Sequence, residues 1–303
     1  MADSRMGFGR GKVILLGEHS VVHGSPAIAM GISRGISAVA RAADEDLLTV
    51  SPWSSRVRPR DNGKEPLEQA FAIALGTYSN RPPLRVDVQV DLPSGAGLGC
   101  SAALGVAIFD AIDGALCIIR SREELGRMAH EWEEVFHGSP SGIDNMAAAV
   151  GGVLRYRKGA PLKPLSLGRP LRVVVAHSGE RSKTKEMVSL VARQLASNPA
   201  RVRDKFDDVS DLVDEAEVAL SAGDMRTLGR LLNWNHGILS SLLLSTPKVE
   251  DLCRLARAHG ALGAKVTGAG GGGCIVALAE DEEHAHRIRD VLGSRSFVDE
   301  VRP

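Results

Sequence analysis

From residue 84 to residue 90 the chain alternates strictly, with Leu84, Val86, Val88 and Val90 apolar and Arg85, Asp87 and Gln89 polar. A period of two is the pattern of a strand with one buried face. The apolar run 13–16 and the segments 36–41 and 47–50 predict further strands. Residues 101–119 are almost continuously apolar and rich in alanine, which predicts a buried helix opening on the glycines before it. Ser121-Arg122-Glu123-Glu124 has the spacing of a capping box. It starts a helix with Leu125, Met128, Ala129, Trp132 and Val135 on one face. Residues 139–142 break that helix, 144–150 begin another, and 151–156 read as a strand.

A Pro- and Gly-punctuated stretch, 159–170, marks the expected boundary between an N-terminal domain, 1–160, and a C-terminal domain, 161–303. Beyond it the pattern predicts a strand at 171–176 and helices at 183–196, 202–222 and 225–243. Thr246 then caps a helix with Pro247 in its first turn and Gly260 past its end. A strand at 274–278 and a helix at 282–292 complete the reading, and there is no internal repeat.

Composition narrows the function classes. With 303 residues and 44% hydrophobic side chains, the chain can bury a sizeable core. Its formal net charge of zero argues against a nucleic-acid surface or a polybasic membrane patch. The basic run 56–64 carries Asp61 and reads as a solvated loop. No stretch is long and apolar enough to span a bilayer, and Met1-Ala2-Asp3-Ser4-Arg5 lacks the apolar core of a signal peptide. Cys100, Cys117, Cys253 and Cys274 never form a CxxC pair, so no structural zinc and a cytoplasmic, reducing setting are expected. His284 and His286 would not face the same way on a helix, so no metal site is expected there either.

Three glycine-bearing segments carry the candidate chemistry: 11–19, 93–103 and 265–274. In 93–103 a strand runs into glycines and then into a helix. Helix N-termini expose unpaired N–H groups, and glycines let backbone approach a phosphate. No lysine follows the glycines, so this is not a Walker A loop. Taken alone it reads as a turn with a serine cap. The third segment matches GxGxxG at Gly268, Gly270 and Gly273, but the strand 274–278 follows where a dinucleotide site needs a helix. Its bland reading is a hinge; Lys265 and Thr267 beside it favour a polar, ligand-facing loop.

Lys12 precedes an apolar strand, and Glu18-His19 follows it. A functional Lys12 needs a distant carboxylate, and Asp144 is the natural partner. Asp144 reads either as a helix N-cap or as a catalytic carboxylate kept ionised by a helix dipole and a nearby lysine. Of the pair Glu133 and Glu134, the helical wheel places Glu133 at the border of the apolar stripe and Glu134 opposite it. Glu133 is therefore the better candidate for a metal ligand.

Together these segments resemble the GHMP kinases, and most of all the mevalonate kinases among them. Residues 11–29 are similar to that family's opening motif nearly residue for residue, and His137 to Asp144 resembles its HGxPSGxD segment. Asn235-His236-Gly237-Ile238-Leu239 and residues 263–274 resemble its C-terminal signatures. The resemblance implies an α+β, two-domain GHMP kinase fold, with an N-terminal ribosomal protein S5-like domain and a C-terminal ferredoxin-like domain. It implies ATP and Mg²⁺, phosphorylation of mevalonate for isoprenoid synthesis, no nucleic-acid or membrane partner, and an assembly that includes the homodimer.

By motif position, Asp144 would take or orient the proton of the substrate hydroxyl, and Lys12 would balance charge on Asp144 and the moving phosphoryl group. Pro93, Gly95, Ala96, Gly97, Leu98, Gly99, Cys100 and Ser101 would cradle the phosphates. Ser101 and Glu133 would hold Mg²⁺, and Glu18, His19, Gly268 and Ala269 would contact the substrate. Two positions depart from the family: Arg10 stands where proline is usual, and Cys100 replaces the first serine of GLGSSAA. A thiol is a weaker hydrogen-bond partner than a hydroxyl. Residues 182–185 loosely resemble a Ser/Thr-Lys element near the family's active site. Alternatives at this point are a phosphomevalonate or homoserine kinase, a sensor that has lost its chemistry, and, lower still, a dinucleotide-dependent oxidoreductase.

Overall fold

The computed structural model describes residues 5–60, 63–93, 95–138 and 140–303. The signal-peptide reading of residues 1–4, and the Asp61 reading within the basic run, lie outside the described residues, as do Ser94 and Ser139. The chain forms two compact units that interleave along the sequence. One comprises Met1–Lys12, Ser33–Leu92 and Gly99–Gly151; the other comprises Val13–Ile32, Pro93–Leu98 and Gly152–Pro303. This differs from the linear division at 160/161. The long strands β1 (Gly7–Leu16) and β2 (Ala27–Ala42) each run through both units, so no single cut in the sequence separates them.

In the first unit, the later part of β2 pairs antiparallel with β5 (Leu84–Val90), from Ile36 opposite Val90 to Ala42 opposite Leu84. Strand β3 (Leu47–Val50) lies parallel to β5 and antiparallel to β4 (Ser55–Val57). Four helices belong with this sheet: α1 (Pro66–Gly76), α2 (Cys100–Ala115), α3 (Arg122–His137) and α4 (Ile143–Val150). Helix α2 is buried almost all round and packs against α3 and α4, as its almost continuously apolar sequence predicts.

Strand β1 starts six residues before the predicted apolar run because Gly7 and Gly9 hide the pattern. A Cβ on Gly9 would stand 2.0 Å from the Ala103 carbonyl oxygen of α2, so only glycine fits this approach. Arg122 ties the unit together. Its guanidinium donates to Asp110 of α2, to the Phe8 carbonyl of β1 and to the Ala149 carbonyl of α4, each at 2.7 Å.

In the second unit, the early part of β2 pairs with β6 (Val153–Tyr156), which pairs with the short β7 (Lys163–Pro164). A separate antiparallel sheet has the order β11-β8-β10-β9, formed by β8 (Leu171–His177), β9 (Gly263–Thr267), β10 (Cys274–Ala279) and β11 (Ser296–Val301). Helices α5 (Thr184–Ser197), α6 (Pro199–Ala222), α7 (Met225–Ser241) and α8 (Pro247–Ala258) connect β8 to β9, and α9 (Glu282–Leu292) connects β10 to β11. This βαββαβ arrangement is the ferredoxin-like topology. Strand β9 precedes the third glycine loop and β10 follows it, so the loop is the turn of a hairpin, with no helix behind the glycines. Among the described residues no helix is long and apolar enough to cross a membrane.

Candidate active site

The first unit brings Lys12 and Asp144 together. Lys12 Nζ lies 3.0 Å from Asp144 Oδ1, with the lysine side chain 3% exposed and the aspartate side chain 32%. Asp144 is not the cap of its helix: Gly142, at φ 93°, occupies that position and Asp144 sits in the first turn of α4. Its carboxylate therefore meets both the positive end of the helix dipole and a buried ammonium, while its open side stays accessible. Gly99, at φ 72°, caps α2, and a Cβ there would stand 3.0 Å from Lys12 Cγ. The glycine thus supplies a backbone turn and leaves room for the lysine.

Helix α3 places a second group of side chains in the same unit. Glu133 is 1% exposed, whereas the Glu134 side chain is 53% exposed, as the helical wheel predicts. Burial, and then the Asp144 charge, push the Glu133 carboxyl up to about 8, against opposing effects of the Ser101 hydroxyl and Lys12. Its Oε1 has no hydrogen-bond partner among the described residues. Ser101 Oγ lies 3.1 Å from His137 Nε2, and that nitrogen lies 3.8 Å from Glu133 Oε2. Trp132 Nε1 donates to the Ser101 carbonyl at 3.0 Å, which fixes the first turn of α2 against α3. The Cys100 thiol is pushed up to about 11, first by burial and then by Glu133, so it stays a neutral thiol.

In the second unit, the first part of the phosphate-loop candidate is bound to the third glycine loop. Ala96 O accepts from Cys274 N at 3.1 Å, and a Cβ on Gly268 would stand 2.8 Å from Gly97 O. The side chains of Ala96 and Leu98 are buried, so these residues offer backbone groups. Ser182 joins the two loops: its N–H donates to Gly95 O at 2.8 Å and its hydroxyl to Gly270 O at 3.0 Å. The segment 182–185, whose register the sequence does not fix, thereby acquires a definite place, with Thr184 opening α5.

Glu18 and His19 belong to the same unit. His19 has φ 63° and its Nε2 lies 2.9 Å from the Ala269 carbonyl. Since a carbonyl only accepts, Nε2 carries the proton; burial lowers the ring's pKa and keeps it neutral, so Nδ1 is an acceptor. Glu18 is committed inward. Its carboxylate pairs with Lys265 Nζ and accepts from Asn235 Nδ2 at 3.0 Å, with side chains 1% exposed for Glu18 and 0% for Lys265.

Two expectations for the third loop are thus corrected. Lys265 is spent on Glu18 and on the carbonyls of Ile14 and Val266. Thr267, 1% exposed, is spent on Ile14. Both point into the core because the partners that match them lie some 250 residues earlier in the chain and leave no local signal.

Sequence reasoning gave no role to His137, Trp132 or Asn235. Asn235 and His137 stand inside motifs that were legible, but what each touches depends on residues from other elements.

Comparison with known proteins agrees with the motifs. Residues 67–152 match the family description GHMP kinases N terminal domain, and residues 216–299 match GHMP kinases C terminal. A mevalonate kinase of Pyrococcus horikoshii is 38% identical over 88% of this chain and 86% of its own length. A mevalonate kinase of Thermococcus gammatolerans is 37% identical over 96% and 94%, respectively. The crystal structure of L. major mevalonate kinase in complex with R-mevalonate superposes with a TM-score of 0.86 at 30% identity, covering 99% of this chain and 97% of that one.

Proposed function

The chain belongs to the GHMP kinases, and within them to the mevalonate kinase family; from that premise we infer that it transfers the γ-phosphoryl group of ATP to the primary hydroxyl of mevalonate, giving 5-phosphomevalonate. The observation that carries the chemistry is the contact between a nearly buried ammonium, Lys12, and a carboxylate at a helix start, Asp144. Asp144 accepts or orients the hydroxyl proton as the oxygen attacks. Lys12 balances the carboxylate and offsets charge on the transferring group, with little screening because water reaches so little of it. Phosphoryl transfer asks mainly for positioning and charge stabilisation, and these two groups provide both.

The remaining roles follow from what each residue presents. Gly95 to Ser101 offer backbone N–H groups to the nucleotide phosphates, and Pro93, which has no N–H to donate, fixes the backbone where the loop begins. The neutral His19 ring offers Nδ1 to a substrate hydroxyl, and Gly268 and Ala269 offer backbone. Glu18 acts from behind His19, through Lys265 and Asn235, by fixing the strained turn at which His19 stands.

The residues present fit Mg²⁺. A buried carboxylate oxygen without a partner, beside a serine hydroxyl, is the hard-oxygen pair such an ion takes from a protein, with phosphate and water completing its shell. Ser101 and Glu133 would hold it, and bound there it neutralises charge on the β- and γ-phosphates.

Phosphorus NMR of the product tests the reading. A phosphate on the primary carbon couples to two protons and gives a triplet; a singlet would place it on the tertiary hydroxyl and refute the assignment. All four cysteines are free thiols, which accords with a reducing, cytoplasmic setting. A homodimer is the assembly we expect, and sedimentation of the purified protein decides it.

A further inference from the structure

We propose that His137 is a positioning residue for the Ser101 hydroxyl, holding its proton so that a lone pair is turned toward the cation of the bound nucleotide. The inference rests on the reading of Ser101 and Glu133 as the cation's ligands. A serine hydroxyl has one proton and two lone pairs, so an oxygen that ligates a cation must donate its proton elsewhere. Among the described residues two acceptors are at hand. One is the Glu133 carboxylate, which the cation itself requires. The other is His137 Nε2, 3.1 Å from Ser101 Oγ. With the ring proton on Nδ1, Nε2 accepts from the serine and leaves both Glu133 oxygens for the cation.

The scaffold supports this division of labour. His137 stands four residues after Glu133 on α3, so the two side chains share a face, with 3.8 Å between Nε2 and Oε2. Trp132, the neighbour of Glu133 on the same helix, holds the Ser101 backbone through its carbonyl. Helix α3 therefore fixes Ser101 twice, at the main chain through Trp132 and at the hydroxyl through His137, while supplying the carboxylate. The role also bears on the phosphate loop. With a thiol at position 100, Ser101 is the hydroxyl left to serve the cation, so its orientation matters more.

The experiment measures Mn²⁺ affinity by electron paramagnetic resonance in the presence of a non-hydrolysable ATP analogue, together with the Mg²⁺ dependence of turnover. His137→Phe, which fills the volume without an acceptor, is expected to weaken Mn²⁺ binding about 10- to 100-fold. Its KM for mevalonate should stay at the parent value. His137→Gln, which can place an amide oxygen where Nε2 stands, should restore most of the loss. Ser101→Ala should be as weak as His137→Phe, and the double variant no weaker than Ser101→Ala alone. Parent-like Mn²⁺ affinity in His137→Phe beside a weakened Ser101→Ala would overturn the proposal, as would additive losses in the double variant. Parent-like affinity in Ser101→Ala itself would overturn the ligand reading and this inference with it.

Discussion

Replacing Lys265 with methionine takes the cation out of an ion pair that water does not reach. The Lys265 and Glu18 side chains are 0% and 1% exposed. Removing the ammonium strips Glu18 of its counter-charge and frees the carbonyls of Ile14 and Val266, leaving the carboxylate the Asn235 amide. A buried pair broken on one side loses about 3–5 kcal/mol, because the surviving charge is uncompensated. For a body of this size each kcal/mol moves the midpoint by about 2–4 °C, so Lys265→Met should melt roughly 6–20 °C below the parent. Glu18→Gln should lose less, since a glutamine oxygen still faces the ammonium. The double variant removes both charges and should recover, leaving a coupling of at least about 2 kcal/mol in the cycle. Thermal unfolding of ligand-free protein by circular dichroism reads all four proteins. A Lys265→Met midpoint within 2 °C of the parent, or a double variant whose loss equals the sum of the singles, would refute the argument.

Other expectations can be checked in parallel. Asp144→Asn should lower kcat by about 10²–10⁴ and leave nucleotide binding intact by calorimetry; undiminished turnover would remove Asp144 from the mechanism. Glu133→Gln should alter the pH dependence of stability. Because the folded carboxyl titrates near 8 against 4.5 unfolded, the parent's stability is complete below 4.5 and declines until the pH passes 8. The neutral variant escapes that decline, so in metal-free urea unfolding it should exceed the parent at pH 9, by on the order of a few kcal/mol, and not at pH 4. Parallel profiles would contradict the buried-carboxyl account. Gly99→Ala, which forces a Cβ at φ 72° to within 3.0 Å of Lys12 Cγ, should lower both urea stability and kcat. Ser121→Ala removes the observed capping box and should lower stability by about 1 kcal/mol in the same urea assay, with activity unchanged.

What could be read in the sequence was what is local. The capping box at Ser121 and Glu124 forms as spelled, and helix α9 has the bounds its pattern predicts. Helix α1 carries no recognisable motif, although Pro66 in its first turn and buried Ala70, Phe71, Ala74 and Leu75 give it a start and an apolar stripe. Strand β2 was longer than predicted because Ser33, Arg34 and Gly35 interrupt its apolar run. Strand β9 escapes the pattern for another reason: a lysine at its centre argues against a fully buried strand, and the carboxylate that permits it lies 247 residues away. The same limit applies at the site. Lys12 and Asp144 can be paired from the sequence, as a lysine in need of a carboxylate and a carboxylate at a helix start, whereas the inward commitment of Glu18 and the placing of Ser101 between Trp132 and His137 are properties of packing.

The most direct measurement is ADP release by the purified protein with Mg-ATP, run with mevalonate, phosphomevalonate, homoserine and galactose side by side. The account predicts turnover with mevalonate and none with the other three. Turnover with one of the others but not with mevalonate, or no turnover with any despite bound ATP, would contradict it.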